Sequence, residues 1–190
     1  MMIRGTVFLD RREMIIKKFG EDQWKDFYGK VVKKEPFFGN PISPISLIPM
    51  EQFEFFESLL LQTFFDNDAT QYWLIGEESA KYALQDGPYQ IYTKNRNLKS
   101  FIEAYLPILT YTFFNGIKMK TRYENNIIHI KISRIPIYNN FLEYLIMGYI
   151  KGSLMIMGIY SMQLKKITGL SDTNDEIYYQ IAVIDYYGLD

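Results

Sequence analysis

The sequence predicts an α+β domain in which helices come first and an antiparallel sheet of four strands follows. Two observations predict this class. Apolar residues recur every three or four positions as far as about residue 114, which is typical of amphipathic helices. Beyond that point, residues 117–123 and 128–133 alternate between apolar and polar, which is typical of a β-hairpin. A long apolar helix and a second pair of strands complete an order that suits an antiparallel sheet packed against helices.

Helix-capping patterns place the first two helices. A β-favouring run covers Thr6–Leu9, and Asp10 is followed three positions later by glutamate, as in a capping box. A helix is therefore predicted over Arg11–Phe19. A second, short helix is predicted over Trp24–Tyr28, where Gly29 would close it, because glycine is the residue most often found just after a helix.

Prolines and apolar stripes place the elements that follow. Four prolines make the segment Pro36–Pro49 a loop, because proline cannot donate a backbone hydrogen bond. Helical spacing of apolar residues predicts helices over Met50–Phe65, Thr70–Leu84 and Leu98–Phe114. Pro107 lies inside the third of these, so a kink is expected there.

The C-terminal part is predicted to form hairpin, helix and hairpin. Glu124–Asn126 would join the first two strands. A long helix is predicted over Tyr138–Gly158, and strands over Met162–Ile167 and Ile177–Asp185. The segment Gly169–Asp175 between those strands is rich in turn-forming residues.

Composition excludes several classes of function. The chain has 190 residues, enough for about one domain. Its 21 basic and 22 acidic residues give a net charge of −1, which argues against binding to nucleic acid. With no cysteine and one histidine, His129, it cannot build disulfides, zinc-thiolate sites or a multi-histidine metal site. No catalytic constellation or phosphate-binding glycine loop occurs, so we expect neither an enzyme nor a bound metal.

The most apolar stretch of the sequence is Phe141–Met162, and its charges bear on membrane insertion. Glu143 and Lys151 lie well inside it, and a membrane-spanning helix tolerates central charge poorly. We therefore expect a buried helix, no transmembrane segment and a cytoplasmic location. Within the same stretch, Gly148 and Gly152 form a G-x-x-x-G pattern, which predicts close packing of this helix either within the chain or against a partner helix.

Aromatic residues make up 17% of the chain, and they could fill a core or line a ligand cavity. Tyr105, Leu109 and Phe113 share one face of a predicted helix, and Lys131 and Ser133 share a strand face with the histidine. These five residues are candidates for the wall of a ligand pocket, because small-ligand pockets are mostly apolar with a few polar anchors. The alternative is that the strand face only contacts solvent. Strand alternation would send Arg134 to the opposite face from its neighbour.

Several motifs resemble those of a known superfamily when they are taken in order. They are I-R-G-T-V at Ile3–Val7, the helix end at Phe19 and Gly20, W-x-x-G within Tyr72–Gly76, the segment Ser133–Ser153 and the strand that starts at Ile177. This order resembles heme nitric-oxide/oxygen-binding (H-NOX) domains, and the C-terminal half also resembles the related 4-vinyl-reductase type domain. The resemblance implies one H-NOX-like domain over 1–190, mainly helical over 1–97 and with a helix plus the sheet over 98–190.

The departures from this resemblance bear on function. H-NOX domains hold heme iron through a histidine on the helix before the hairpin, where this chain has Leu106, Ile108 and Leu109. They grip the heme propionates with Y-x-S-x-R, and the aligned positions here are Lys131, Ser133 and Ile135. The resemblance therefore implies a degenerate bacterial member without ordinary heme ligation, and no cofactor is expected.

Two functions remain open from the sequence. The first is a non-catalytic signalling module that acts as a protein-interaction adaptor or as a structural subunit, with a protein partner or in a homo-oligomer. Its working surface would be the Pro36–Pro49 loop or an exposed aromatic patch. The alternative is a sensor or binding domain for an apolar or lipid-like small molecule in the former heme pocket.

Overall fold

Helices and two antiparallel sheets make up the protein in a computed structural model that describes residues 1–87, 89–94, 97–135, 140–170 and 175–186. The chain divides into two compact units. The first comprises Met1–Gln71 and Phe113–Asn115, and the second comprises Tyr72–Thr112 and Gly116–Asp190.

The first unit contains three helices and a small sheet. Its elements are β1 (Met2–Arg4), α1 (Gly5–Phe19), α2 (Glu21–Lys34), a 3-10 turn (Pro36–Gly39), β2 (Leu47–Pro49), α3 (Met50–Phe64) and β3 (Phe114–Asn115). The three strands pair antiparallel in the order β2-β1-β3. This second, smaller sheet is absent from the sequence prediction, because strands of two or three residues leave no readable alternation.

Helix α1 begins at Gly5, so the predicted strand over Thr6–Leu9 and the predicted cap at Asp10 are wrong. Phe8 and Ile15, seven residues apart, are both buried, which is helical spacing across that region. Burial of this stripe outweighs the local β preference. Asp10 consequently lies buried inside the helix instead of at its start.

Helix α2 continues through Gly29 to Lys34, so the predicted end at Gly29 is also wrong. Trp24, Phe27 and Val31 are buried at helical spacing and carry the apolar stripe past the glycine. Apart from its chain neighbours and the helix's own backbone, nothing lies within 4 Å of where a β-carbon at Gly29 would be. The glycine thus weakens the helix without ending it.

Aromatic rings pack together in the core of the first unit. The ring of Phe8 lies 5.0 Å from that of Phe56, 5.6 Å from that of Phe38 and 5.9 Å from that of Trp24, measured between centroids. Phe27 extends the cluster, at 5.6 Å from Phe56. Part of the aromatic content therefore fills a core, where ring pairs at such distances stabilise beyond their buried area.

The second unit contains the predicted four-stranded antiparallel sheet, and the α+β class is confirmed. Its elements are α4 (Gln71–Lys81, beginning at the last residue of the first unit), a π-helical turn (Tyr82–Asp86), a 3-10 turn (Gln90–Tyr92), α5 (Leu98–Ser100), a second π-helical turn (Phe101–Tyr105), α6 (Leu106–Phe113, ending in the first unit), β4 (Lys118–Glu124), β5 (Ile127–Ser133), α7 (Asn140–Ile156), β6 (Ile159–Thr168) and β7 (Ile177–Tyr186). The strand order is β4-β5-β7-β6.

The hairpin β4–β5 is tighter than predicted. Asn125 and Asn126 alone form the turn, with φ of 50° and 59°, and Glu124 belongs to the strand. Two successive residues in this left-handed region are typical of a two-residue hairpin turn, and asparagine tolerates the conformation. Of the other predicted bounds, Tyr138 lies outside the described residues, and so does most of Gly169–Asp175.

A widened turn precedes Pro107 in the helical segment that leads to the sheet. The π-helical turn Phe101–Tyr105 directly precedes α6. Proline has no backbone N–H, so it cannot donate the hydrogen bond that closes an α-helical turn at its position. A π-helical turn is a local widening of an α-helix, here just before the proline. No helix in the described part of the chain has both the length and the apolar character needed to cross a membrane.

Candidate functional site

The two faces of the four-stranded sheet differ sharply in chemistry. Along β5, Ile128, Ile130 and Ile132 are fully buried on one face. The helical segment 98–112 lies on that side, because Thr121, paired opposite Ile130, donates a hydrogen bond to the Ile102 carbonyl. As the alternation predicts, the intervening residues of β5 lie on the other face, here called the outer face.

The structure separates the predicted pocket residues. Lys131 and Ser133 lie together on the outer face, on the opposite side of the sheet from the segment that carries Tyr105 and Leu109. Leu109 is fully buried, and the Tyr105 ring lies 5.0 Å from that of Tyr92. Phe113 is buried and belongs to the first unit.

A polar depression of about 310 Å³ lies on the outer face. We call it the basic depression, and its lining residues are Lys118, Lys120, Lys131, Ser133, Arg134 and Glu176. The expectation that Arg134 lies opposite its neighbour is wrong, because both line this depression. The strand ends at Ser133, and Arg134 has a φ of 64°, so the alternation of an extended strand no longer applies to it.

Tyr178 is the centre of a polar cluster beside the depression. Lys131 Nζ lies 4.7 Å from the centroid of its ring. Its hydroxyl accepts a hydrogen bond from Gln180 Nε2 at 3.0 Å and lies 2.9 Å from His129 Nδ1. On its other side, His129 Nε2 lies 3.8 Å from Glu124 Oε1. The single histidine of the chain is therefore part of the outer face.

The helical segment before the hairpin turns apolar groups inward. Phe101, Ile102, Leu106 and Leu109 are fully buried. Thr110, the buried polar residue of this segment, donates its hydroxyl to the Leu106 carbonyl at 3.0 Å. On α6, the exposed positions are Ile108 and Tyr111, whose exposed fractions are 51% and 59%.

Helices α4 and α7 approach each other through glycines. A β-carbon at Gly148 would lie 2.2 Å from the Trp73 carbonyl oxygen, and one at Gly152 would lie 2.9 Å from Glu77 Cα. A β-carbon at Gly76, on α4, would lie 2.3 Å from the Leu145 carbonyl oxygen. Backbone atoms therefore occupy the space where side chains would otherwise lie.

A buried carboxylate ties α7 to the second hairpin. Glu143 is fully buried and accepts hydrogen bonds from the Tyr179 hydroxyl at 2.7 Å and from the Leu170 N–H at 2.9 Å, and Lys166 Nζ lies 2.6 Å away. Burial raises the pKa of the Tyr179 hydroxyl, and the hydrogen bond and charge of Glu143 raise it further. The hydroxyl consequently stays protonated and remains a donor.

Solved structures of H-NOX proteins match this chain along nearly its whole length. A structure that probes heme distortion in the H-NOX family has 13% identity and a TM-score of 0.71, with 99% of this chain and 98% of that chain covered. An H-NOX protein from S. oneidensis in the Fe(II) ligation state has 12% identity and a TM-score of 0.70, with 99% and 100% covered. A variant of the T. tengcongensis H-NOX has 14% identity and a TM-score of 0.69, with 97% and 100% covered.

These likenesses establish the fold. No protein-family model matches the sequence, and no curated protein matches it either. The protein has an H-NOX-like fold, as predicted from motifs such as Ile3–Val7.

Proposed function

We propose that this protein is an H-NOX-like module that does not hold heme through a histidine and acts through its external surface, as a protein-interaction adaptor or as a structural subunit. The observation that carries this proposal is the absence of an iron ligand from the inward positions of the segment 98–112. Its fully buried residues are apolar, and the Thr110 hydroxyl is engaged with the Leu106 carbonyl.

The histidine of the chain does not lie on the segment where H-NOX domains carry the iron ligand. The chain has one histidine, and it lies on the outer face of the sheet, 2.9 Å from the Tyr178 hydroxyl. Ile135, aligned with the arginine that grips a propionate in H-NOX domains, is apolar and buried. An apolar buried side chain cannot pair with a carboxylate. The iron end of the heme thus lacks the histidine of the H-NOX pattern, and the propionate end keeps only the serine of that pattern, Ser133.

An external surface supports the adaptor function. Ile108 and Tyr111 are three residues apart on α6, so they are neighbours on its surface, and both are more than half exposed. Aromatic residues are enriched at protein interfaces, and clustered exposed apolar groups mark such sites. We infer that this face contacts a second copy of the chain.

The test combines absorbance with native mass spectrometry. The purified protein, titrated with hemin, is expected to show no stoichiometric Soret band. In native mass spectra, it is expected to assemble above the 22.6 kDa of one chain. The I108S/Y111S variant should be monomeric, whereas L74S, which removes an equally exposed apolar residue from α4, should still assemble.

Two outcomes contradict the proposal. A Soret band at one heme per chain would show that another residue ligates iron, and His129→Ala would then establish whether the histidine serves. A monomer that carries one co-purified apolar molecule per chain would instead favour the alternative, a binding domain for such a molecule.

A further inference from the structure

We propose that the basic depression is a binding site for a small ligand that carries two or more phosphate groups. This inference does not depend on the proposed function, because it concerns the outer face of the sheet and not the surface of α6.

The first argument is an uncompensated concentration of positive charge. In the described part of the chain, Lys118, Lys120, Lys131 and Arg134 line the depression together with the Glu176 carboxylate. Among the residues that the structure describes, none of these four cations forms an ion pair. Arg122, on the same strand but outside the depression, is by contrast paired with Glu124 at 2.5 Å. The depression therefore gathers four positive side chains that no described carboxylate pairs with.

The second argument is the register of the two strands. Lys120 lies directly opposite Lys131, and Lys118 lies directly opposite Ser133. Directly opposed side chains in an antiparallel pair have their β-carbons about 5 Å apart, and like charges at such positions destabilise the sheet. A bound anion between the two ammonium groups would convert this repulsion into attraction for the ligand.

The third argument is preorganisation of two of the cations. Arg134 reaches the depression through a left-handed backbone conformation that side-chain-bearing residues rarely adopt, and such conformations gather at ligand sites. Lys131 lies over the Tyr178 ring, and two hydrogen-bonding partners, His129 and Gln180, fix that ring. Lys131 thus has a ring contact that orients it, and the backbone at Arg134 brings that residue to the same depression.

The lining indicates the chemistry of the ligand. Lysine ammonium groups bind phosphate as point charges, arginine binds it with two parallel N–H donors, and the Ser133 hydroxyl adds a further donor. Among the described lining residues, four cations and one carboxylate suit a multiply charged anion. A volume of about 310 Å³ is at the lower end of the range for small-molecule pockets, roughly 300–1,000 Å³, so the ligand is small. Because the whole chain has a net charge of −1, the positive field is local, which does not favour a long nucleic acid.

The experiment is isothermal titration calorimetry with orthophosphate, pyrophosphate, tripolyphosphate, citrate and a single-stranded oligonucleotide. We expect pyrophosphate and tripolyphosphate to bind more tightly than orthophosphate and citrate, with affinities that fall as salt is raised. The K120Q/K131Q variant should weaken the affinity for pyrophosphate at least about tenfold. The K30Q/K33Q control, which removes two exposed charges from α2, should change it less than about twofold.

Thermal unfolding distinguishes loss of binding from loss of folding. Without ligand, the K120Q/K131Q variant should be at least as stable as the wild type, because the opposed charges are gone. Pyrophosphate should raise the Tm of the wild type and of the control, and raise that of K120Q/K131Q by less at the same ligand concentration. The proposal is overturned if the wild type binds none of the phosphate probes, if it binds only the oligonucleotide, or if the control loses as much affinity as K120Q/K131Q.

Discussion

The contact between α4 and α7 predicts that Gly148→Ala destabilises the protein. A β-carbon at this position would lie 2.2 Å from the Trp73 carbonyl oxygen, whereas ordinary contacts begin near 3.4 Å. The obstructing atom belongs to the backbone of α4, so α4 and α7 have to move apart by about 1 Å. No side-chain rotation can relieve this clash.

The magnitude follows from two opposing effects. Overpacking a core typically costs about 1–3 kcal/mol, and a contact this short against backbone belongs at or above the upper end. Alanine recovers about 1 kcal/mol of helix propensity relative to glycine. The expected net loss is therefore about 2 kcal/mol, which corresponds to a fall in Tm of about 4–8 °C for a chain of this size.

The assay is urea unfolding monitored by circular dichroism, with Gly29→Ala as the matched control. Gly29 lies inside α2, and a β-carbon there would meet nothing within 4 Å beyond its chain neighbours and the helix's own backbone. Its replacement should therefore stabilise the protein by about 0.5–1 kcal/mol. If G148A is as stable as the wild type while G29A shows its gain, the close approach of the two helices is refuted.

Two further predictions concern buried ionisable groups. Tyr179→Phe removes one hydrogen-bond donor to the buried Glu143 carboxylate and is expected to lower the free energy of unfolding by about 1–3 kcal/mol, measured in urea. The control Y111F, at an exposed tyrosine, should change it little. Equal effects of the two substitutions would contradict a stabilising role of the Tyr179–Glu143 hydrogen bond. Burial raises the pKa of Glu57 despite the neighbouring Arg11 guanidinium, so the folded state binds this proton more tightly than the unfolded chain does. The stabilisation from that proton is complete below the ordinary pKa of the carboxyl group and is lost as pH rises through the higher folded-state pKa. The stability of Glu57→Gln relative to the wild type should therefore improve as the pH rises above the ordinary pKa of a glutamate carboxyl group. A difference that does not change with pH, measured by urea unfolding, would show that this carboxyl group does not titrate as described.

The sequence predicts some elements well for a local reason. The alternation in 117–123 and 128–133 predicts the hairpin to within about a residue, because the same alternation decides which side chains are buried. The start of α1 was not predictable from local preference. Its β-favouring residues are helical because Phe8 joins an aromatic core whose other members are distant in the chain.

In the candidate site, too, some features follow from the local sequence and others depend on contacts between distant parts of the chain. That His129, Lys131 and Ser133 share a face follows from strand period alone. The register that sets Lys120 opposite Lys131 follows from the hairpin turn. The depression also needs Arg134, and no sequence pattern indicates the left-handed backbone conformation of that residue. Tyr178 is 47 residues beyond Lys131 and joins it only through the pairing of β5 with β7.

The strand order of the larger sheet has a consequence for how the protein is made. Strand β7 pairs with both β5 and β6, although both precede it in the chain, so Ile127 meets Ala182 across 55 residues. Until residues 177–186 have been synthesised, β5 and β6 each lack a neighbour and expose unpaired backbone groups. Such open edges are where newly made chains associate wrongly. Cotranslational folding of the four-stranded sheet must therefore wait for β7. A chain shortened to end before Ile177 would leave β5 and β6 each with an unpaired, aggregation-prone edge.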